Sequence, residues 1–302
     1  MEERKSQQKG LLIMIAAALL LPVIDAISKV LTAYVSPGEI ALVRFSLQGA
    51  LLFPFAYREL KIPKLPLLAT HFLRGILNAV ASLCFIAAIT QMPLADAIAI
   101  FFAEPLLLTL FSAVLLKEKI GIARITACLI GFAGALFIIG PSFTNFGATA
   151  ILPFLTATFF ALYLIVTRKQ SKRGESVNAM QFYASMGATL FLLPITLLGD
   201  AFSLPLFELS WPTTEVALLF LGVGASSLIS HQLLTIAFTK ADANVLAPFQ
   251  YLEIVSATIL GWLLFGQFPG AQTLLGAGII IASGMFIFYR ESSYPLNKKG
   301  RS

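Results

Sequence analysis

Apolar residues fall in long uninterrupted blocks along this chain, not in the alternating pattern of a half-buried strand or the narrow stripe of a surface helix. Ten such blocks are legible: 11–31, 38–57, 69–90, 94–116, 122–139, 147–167, 179–199, 216–238, 245–265 and 271–289. Each holds about 18–23 residues, and at ~1.5 Å of rise per residue each helix would cross a hydrocarbon core of ~30 Å. The block at 11–31 is too long, and lacks the small-residue cleavage site, for a signal peptide. The pattern predicts an all-α membrane protein with ten transmembrane helices and no soluble domain. Prolines at Pro22, Pro105, Pro153, Pro194 and Pro248 predict kinks whose freed carbonyls line a cavity.

Composition agrees: of 302 residues, 58% are hydrophobic and 12% charged, whereas soluble domains are about a quarter charged. This excludes a soluble enzyme, a disordered chain and a disulfide scaffold. Cys84 and Cys128 sit in apolar blocks without disulfide or metal-ligand spacing, as small buried hydrophobes do. Net charge is +6, and its placement fixes an orientation. Eighteen of the 21 Lys and Arg residues lie before the first block, after the last, or in alternate connections (Arg58 to Lys64, Lys117 to Arg124, Arg168 to Arg173, Lys240). The other connections carry none, and Lys29, Arg44 and Arg74 are inside spans. By the positive-inside rule both termini are cytoplasmic and the helix count is even. The basic excess is loop charge, so no nucleic-acid partner is expected; membrane lipid is. Trp211 and Pro212, in an acidic external loop with Asp200, Glu208 and Glu215, read as an interface anchor.

Two segments read alike. Ala95-Asp96-Ala97 precedes Glu104-Pro105-Leu106-Leu107-Leu108-Thr109 and Val114-Leu115-Leu116-Lys117-Glu118. Ala241-Asp242-Ala243 precedes Glu253-Ile254-Val255-Ser256-Ala257-Thr258 and Leu263-Leu264-Phe265-Gly266-Gln267, and Gly134 and Gly284 fall into register further on. Five spans separate equivalent points. The number is odd, so the copies are inverted in the membrane, as in secondary transporters with a midplane site between halves. Ten helices with these two motifs resemble the EamA-type carriers of the drug/metabolite transporter superfamily. The stretch Ala247-Pro248-Phe249-Gln250-Tyr251-Leu252-Glu253 is similar to the branch that includes bacterial S-adenosylmethionine and riboflavin uptake carriers. The resemblance implies two inverted five-helix repeats, at 1–143 and 144–291, followed by a basic cytoplasmic tail at 292–302. It also implies a multi-pass carrier of the bacterial inner membrane, monomeric or homodimeric, for a small metabolite. It implies a cavity bounded mainly by spans one, three, four, six, eight and nine, and no ATP site or other cofactor. This chain has Leu252-Glu253-Ile254 where the usual second-half motif reads Leu-Glu-Pro, which leaves any proline kink to Pro248.

Charged groups inside a bilayer are expensive and mark ion or substrate paths. Glu104 and Glu253 stand at equivalent depths in the two copies, a midplane pair for a cationic group or a coupled proton. Phe101, Tyr163, Gln250 and Tyr251 lie near enough to complete a substrate site, the aromatics offering cation–π contact or stacking. Asp25 and Lys29 are one helical turn apart, acid first, as a salt bridge prefers; with Arg44 they are gate or proton candidates. His231 in span eight is a proton-relay candidate or packing glue. Asp96 and Asp242 read as helix N-caps, and His71 and Arg74 as contacts to lipid headgroups.

The leading function is therefore a secondary transporter working by alternating access, with proton coupling; the alternative is a metabolite or drug exporter of the same fold. A membrane-embedded enzyme needs a polar cluster or metal constellation, and His71 and His231 make neither, so no catalytic or metal residue is expected. A channel needs rings of like charge or carbonyl filters. Lys29 and Arg44 read as nearer the outer surface and Arg74 as nearer the inner, leaving Glu104 and Glu253 without a base at their depth. That predicts a cationic, zwitterionic or neutral ring-bearing cargo, S-adenosylmethionine-, amino-acid- or riboflavin-like, rather than a sugar phosphate or dicarboxylate.

Overall fold

The structure, a computed structural model, describes residues 2–60, 64–115, 122–171, 175–240, 246 and 249–293. Asp242, Ala247 and Pro248 lie outside them. The described residues form helices and no strands. In chain order these are α1 (Glu2–Leu31), α2 (Pro37–Ala56), α3 (Leu65–Gln91), α4 (Leu94–Phe101), α5 (Glu104–Leu115), α6 (Ile122–Phe146), α7 (Leu152–Ser171), α8 (Val177–Ala201), α9 (Thr214–Lys240), α10 (Leu252–Phe265) and α11 (Ala271–Ser293). One 3₁₀ turn, Gly147–Ile151, leads into α7. Seven apolar stretches are long enough to cross a membrane, with shorter apolar helices at Ile125–Ile139, Leu252–Phe265 and Ala271–Phe286.

Local chemistry sets the ends. Ser36 caps α2 by accepting from Glu39 N at 3.1 Å, with Pro37 in the first helical position, where no N–H is needed. Gly266, at φ +64°, closes α10: its N–H donates to Trp262 O, and the next N–H, of Gln267, donates to Gly261 O. The fourth span is not continuous. Pro105 has no N–H for the carbonyl four residues back, so α4 ends at Phe101, and α5 begins after a turn at Phe102 and Ala103. A second break, at Tyr251, precedes α10. The two breaks pack together, Phe102 against Tyr251 at 5.4 Å between ring centroids. Pro22 and Pro194 are interior to their helices, as is Pro54, whereas Pro105 and Pro153 are second residues and start helices instead of kinking them.

The helices pack as α1 on α9 and α10, α2 on α8 and α9, α3 on α7 and α8, and α6 on α11. Large apolar side chains such as Leu129, Leu136, Leu218 and Leu263 point outward. Buried among the helices are Arg44, Gln48, Asn78, Ser82, Gln181 and His231. This is the arrangement of a protein whose solvent is hydrocarbon. Trp211 is 98% exposed on the 202–213 connection, which is pinned to α2 by Gly38 N donating to Leu206 O and Ser210 N donating to Glu39 Oε2.

Candidate functional site

Two apolar clusters, one of α1, α2, α3, α8 and α9 and one mainly of α3 to α6 with α10 and α11, contribute to the surroundings of a partly open cavity. Its walls come from α1 (Leu21, Ile24, Asp25), α2 (Arg44), α3 (Asn78, Ser82, Phe85), α4 (Phe101), α7 (Thr156, Phe160), α9 (His231) and α10 (Glu253). These are the spans the family resemblance implies, plus the second, through Arg44.

The walls differ in character. Asp25 and Glu253 lie close enough to repel each other, and Glu104 interacts with Glu253 from behind the lining. Glu104 is 3% exposed, opens α5, and its Oε1 has no hydrogen-bond partner. Arg44, in the same lining, is 6% exposed; its Nη1 donates to Ser82 Oγ at 2.9 Å, its guanidinium lies 5.2 Å from the Phe45 ring centre, and its Nε has no partner. Arg44 and Asp25 attract each other without closing to an ion pair: no N···O distance is within 4.0 Å. His231 Nδ1 is 3.0 Å from Ser227 O. A carbonyl only accepts, so Nδ1 carries the proton. Phe101 packs edge-on against Phe85 and Phe160, at 6.1 and 5.6 Å.

The structure thus brings Asp25, Arg44, Phe101, His231 and Glu253 to one cavity. It places Glu104 and Tyr251 behind it, at the paired breaks, with the buried Tyr251 hydroxyl also lacking a partner. Gln250 is buried beside the second break, outside the lining. Tyr163 is buried on α7 beneath Arg74.

Four expectations change. First, Arg44 does not stand apart from the acids in depth; it shares the cavity with Glu253. Second, Lys29 does not pair with Asp25. Its Nζ donates to Ile89 O at 3.2 Å and Met92 O at 2.7 Å, the carbonyls that end α3, and lies 5.5 Å from the Phe265 ring centre. A cation is favoured there by the helix's negative end. Third, Arg74 is not at a lipid headgroup. It is 0% exposed, donating to Thr167 Oγ1 and Met180 O at 2.9 Å each and stacking on Tyr163, while His71 Nε2 lies 3.1 Å from Glu175 Oε2. Fourth, Asp96 is not an N-cap. The cap position is Pro93, and Asp96 Oδ1 accepts from Thr273 Oγ1 at 2.7 Å, joining α4 to α11.

Asn78, Ser82, Phe85, Thr156 and Phe160 were not singled out from the sequence. One signal was available: Arg74, Asn78 and Ser82 are spaced at four residues, a polar stripe along one face of an apolar helix.

Comparisons with known proteins agree with this architecture. The model of the EamA-like transporter family matches residues 8–140 and again 147–289. An S-adenosylmethionine uptake transporter of Rickettsia conorii is 31% identical over 92% of this chain and 91% of its own length. A riboflavin transporter of Vibrio cholerae is 28% identical over 94% of each. A pseudopaline exporter of Pseudomonas aeruginosa is 30% identical over 91% of this chain and 94% of its own. A solved crystal structure with 19% identity superposes with a TM-score of 0.66, covering 94% of this chain and 98% of that one, which shows the shared fold.

Proposed function

This chain belongs to the EamA-like transporter family, and on that premise we propose that it carries a small cationic, zwitterionic or neutral ring-bearing metabolite across the bacterial inner membrane by alternating access. It is a multi-pass membrane transporter, not an enzyme. The observation that carries the substrate class is the cavity itself. Asp25, Glu253 and Arg44 line it together with Phe85, Phe101 and Phe160. A dianion entering this space would meet two carboxylates in a low-dielectric surrounding, at a cost of several kcal/mol. A cation or zwitterion relieves them, and aromatic faces suit a ring or an onium group.

Ten spans in two inverted halves, 1–143 and 144–291, with a basic tail at 292–302, are the arrangement we propose. In support, the family model matches twice, helix breaks precede both Glu104 and Glu253, and three shorter apolar helices accompany the seven long ones. The basic residues put both termini in the cytoplasm. Glu104, Tyr251 and Gln250 line the paired breaks behind the cavity, where a coupled proton could reside. Lys29 and Tyr163 belong to closures around it.

The test is a flux screen of the purified protein in proteoliposomes with an imposed pH gradient. Amino acids, sulfonium compounds and flavins should inhibit or exchange. Strong competition by a dicarboxylate or sugar phosphate, with none by those, overturns the reading. Export is the second reading, favoured by the relative named an exporter; oriented vesicles loaded on one side separate it from uptake.

A further inference from the structure

Arg44 is held like a binding group rather than a structural ion. A structural buried guanidinium is normally satisfied by a carboxylate or by several acceptors. Arg74 fits that description, with a partner for each of its three nitrogens. Arg44 is buried nearly as deeply, yet one hydroxyl, Ser82 Oγ, accepts from it and its Nε donates to nothing. Asp25, the acid that acts on it, lines the same cavity but stays beyond ion-pair distance. The other charged or titratable groups near it do not neutralise it: His231 donates its Nδ1 hydrogen to Ser227 O, Tyr163 lies beneath Arg74, and Glu253 lines the same cavity without forming an ion pair. A guanidinium and two carboxyl groups that line one cavity without forming an ion pair leave charges of both signs for a bound molecule to meet. The Phe45 ring beside the guanidinium and the Ser82 hydroxyl on Nη1 hold the group in place, and a guanidinium short of acceptors is the group that a carboxylate satisfies best.

We infer that Arg44 reads a substrate carboxylate, and that the cargo carries an α-amino-acid head group. Its carboxylate sits on Arg44, its ammonium on Asp25 and Glu253, and the rest of the molecule lies along Phe85, Phe101 and Phe160. This rests on the carrier reading above and narrows it. Of the three chemistries that reading admits, a zwitterionic head is the one that meets both the guanidinium and the carboxyl groups. A carboxylate-free amine leaves the guanidinium unpaired, and an uncharged ring leaves charges of both signs unpaired.

The experiment is ligand-induced thermal stabilisation and competitive flux with the purified full-length protein. The probes are S-adenosylmethionine, lysine, methionine and phenylalanine, the carboxylate-free amine of each, and riboflavin. In the wild-type protein at least one amino-acid probe should bind about ten- to hundred-fold more tightly than its carboxylate-free counterpart, the worth of a charged hydrogen-bonded pair. Arg44→Gln should erase that ratio by weakening the acid-bearing probe, leaving the amine unchanged or tighter. Arg44→Lys should restore part of it. Ser82→Ala, which frees the fork without removing its charge, should lower the ratio less than Arg44→Gln. Equal affinity of the two members of every pair in the wild type overturns the inference even if Arg44→Gln fails to fold. So does an Arg44→Gln protein that binds both members with the same loss, which is what a purely structural arginine would give. Binding of riboflavin or of the amines with none of the amino acids overturns it while leaving the carrier reading intact. Absence of binding and flux for every probe overturns both.

Discussion

Arg74 separates burial from charge more cleanly than any other residue. It is fully buried among α3, α7 and α8, donates to Thr167 Oγ1, Met180 O and Tyr163 OH, and stacks 5.2 Å from the Tyr163 ring centre. Replacing it with methionine keeps most of the volume and orphans little. Thr167 Oγ1 retains its own bond to Tyr163 O at 2.8 Å, and Met180 is a helical residue of α8. Exchanging a buried charge for an apolar group of similar size is near neutral or favourable, so Arg74→Met should change unfolding free energy by no more than about 1 kcal/mol. Arg74→Ala removes the same bonds and also leaves a void of roughly 80 Å³, worth about 2 kcal/mol at ~24 cal/mol per Å³, and lost side-chain packing raises the total to about 3–4 kcal/mol. Denaturant titration of the purified protein in detergent, followed by tryptophan fluorescence and size exclusion, measures both. If Arg74→Met is as damaging as Arg74→Ala, the guanidinium's bonds and not its volume hold the three helices, and the reasoning fails. If Arg74→Met is stable yet transports nothing, Arg74 has a role in the transport cycle beyond packing.

Four further outcomes follow. The α6–α11 seam is closest at Gly134 and Gly276, where a Cβ on Gly134 would lie 3.1 Å from Gly276 O and 2.9 Å from Ile279; Gly134→Leu should lower the melting temperature and folded yield, costing about 1–3 kcal/mol or more by overpacking, with substrate affinity of the surviving protein unchanged. Gly284→Leu differs, because the new side chain meets the Tyr251 hydroxyl beside the second break; it should lower yield and also transport rate, and unaltered transport kinetics in the folded fraction would refute the link between Tyr251 and the site. Lys29→Met removes the two bonds to the end of α3 and should speed amide hydrogen exchange at 89–92 severalfold, whereas unchanged exchange would show that Lys29 closes nothing. A reporter fused after Arg173 should be cytoplasmic and one near Ser210 external, and the reverse at either point breaks the proposed topology.

The spans were legible because their cause is local. A run of about 20 apolar residues must form a helix in hydrocarbon, whatever it packs against. Pro105 likewise announced the break before Glu104 through its missing N–H, and Ser36-Pro37 announced the start of α2. Position along each helix could be read from the sequence, and the internal repeat paired Glu104 with Glu253. Rotation about each axis could not. These helices are apolar over most of their surface, and although Arg74, Asn78 and Ser82 share one face of α3, the sequence does not say what that face meets; Arg74 lies in the core rather than at a headgroup. The same blindness hid where Lys29 and Asp96 find their partners, because both bonds join residues far apart in sequence, Lys29 to the end of α3 and Asp96 to α11. The meeting of Arg44, from α2, with Glu253, from α10, belongs to the tertiary structure alone. Hydropathy decides that a segment enters the membrane; the packing of breaks, glycine seams and buried polar bonds decides which charges share a cavity, and thereby which cargo the cavity can hold.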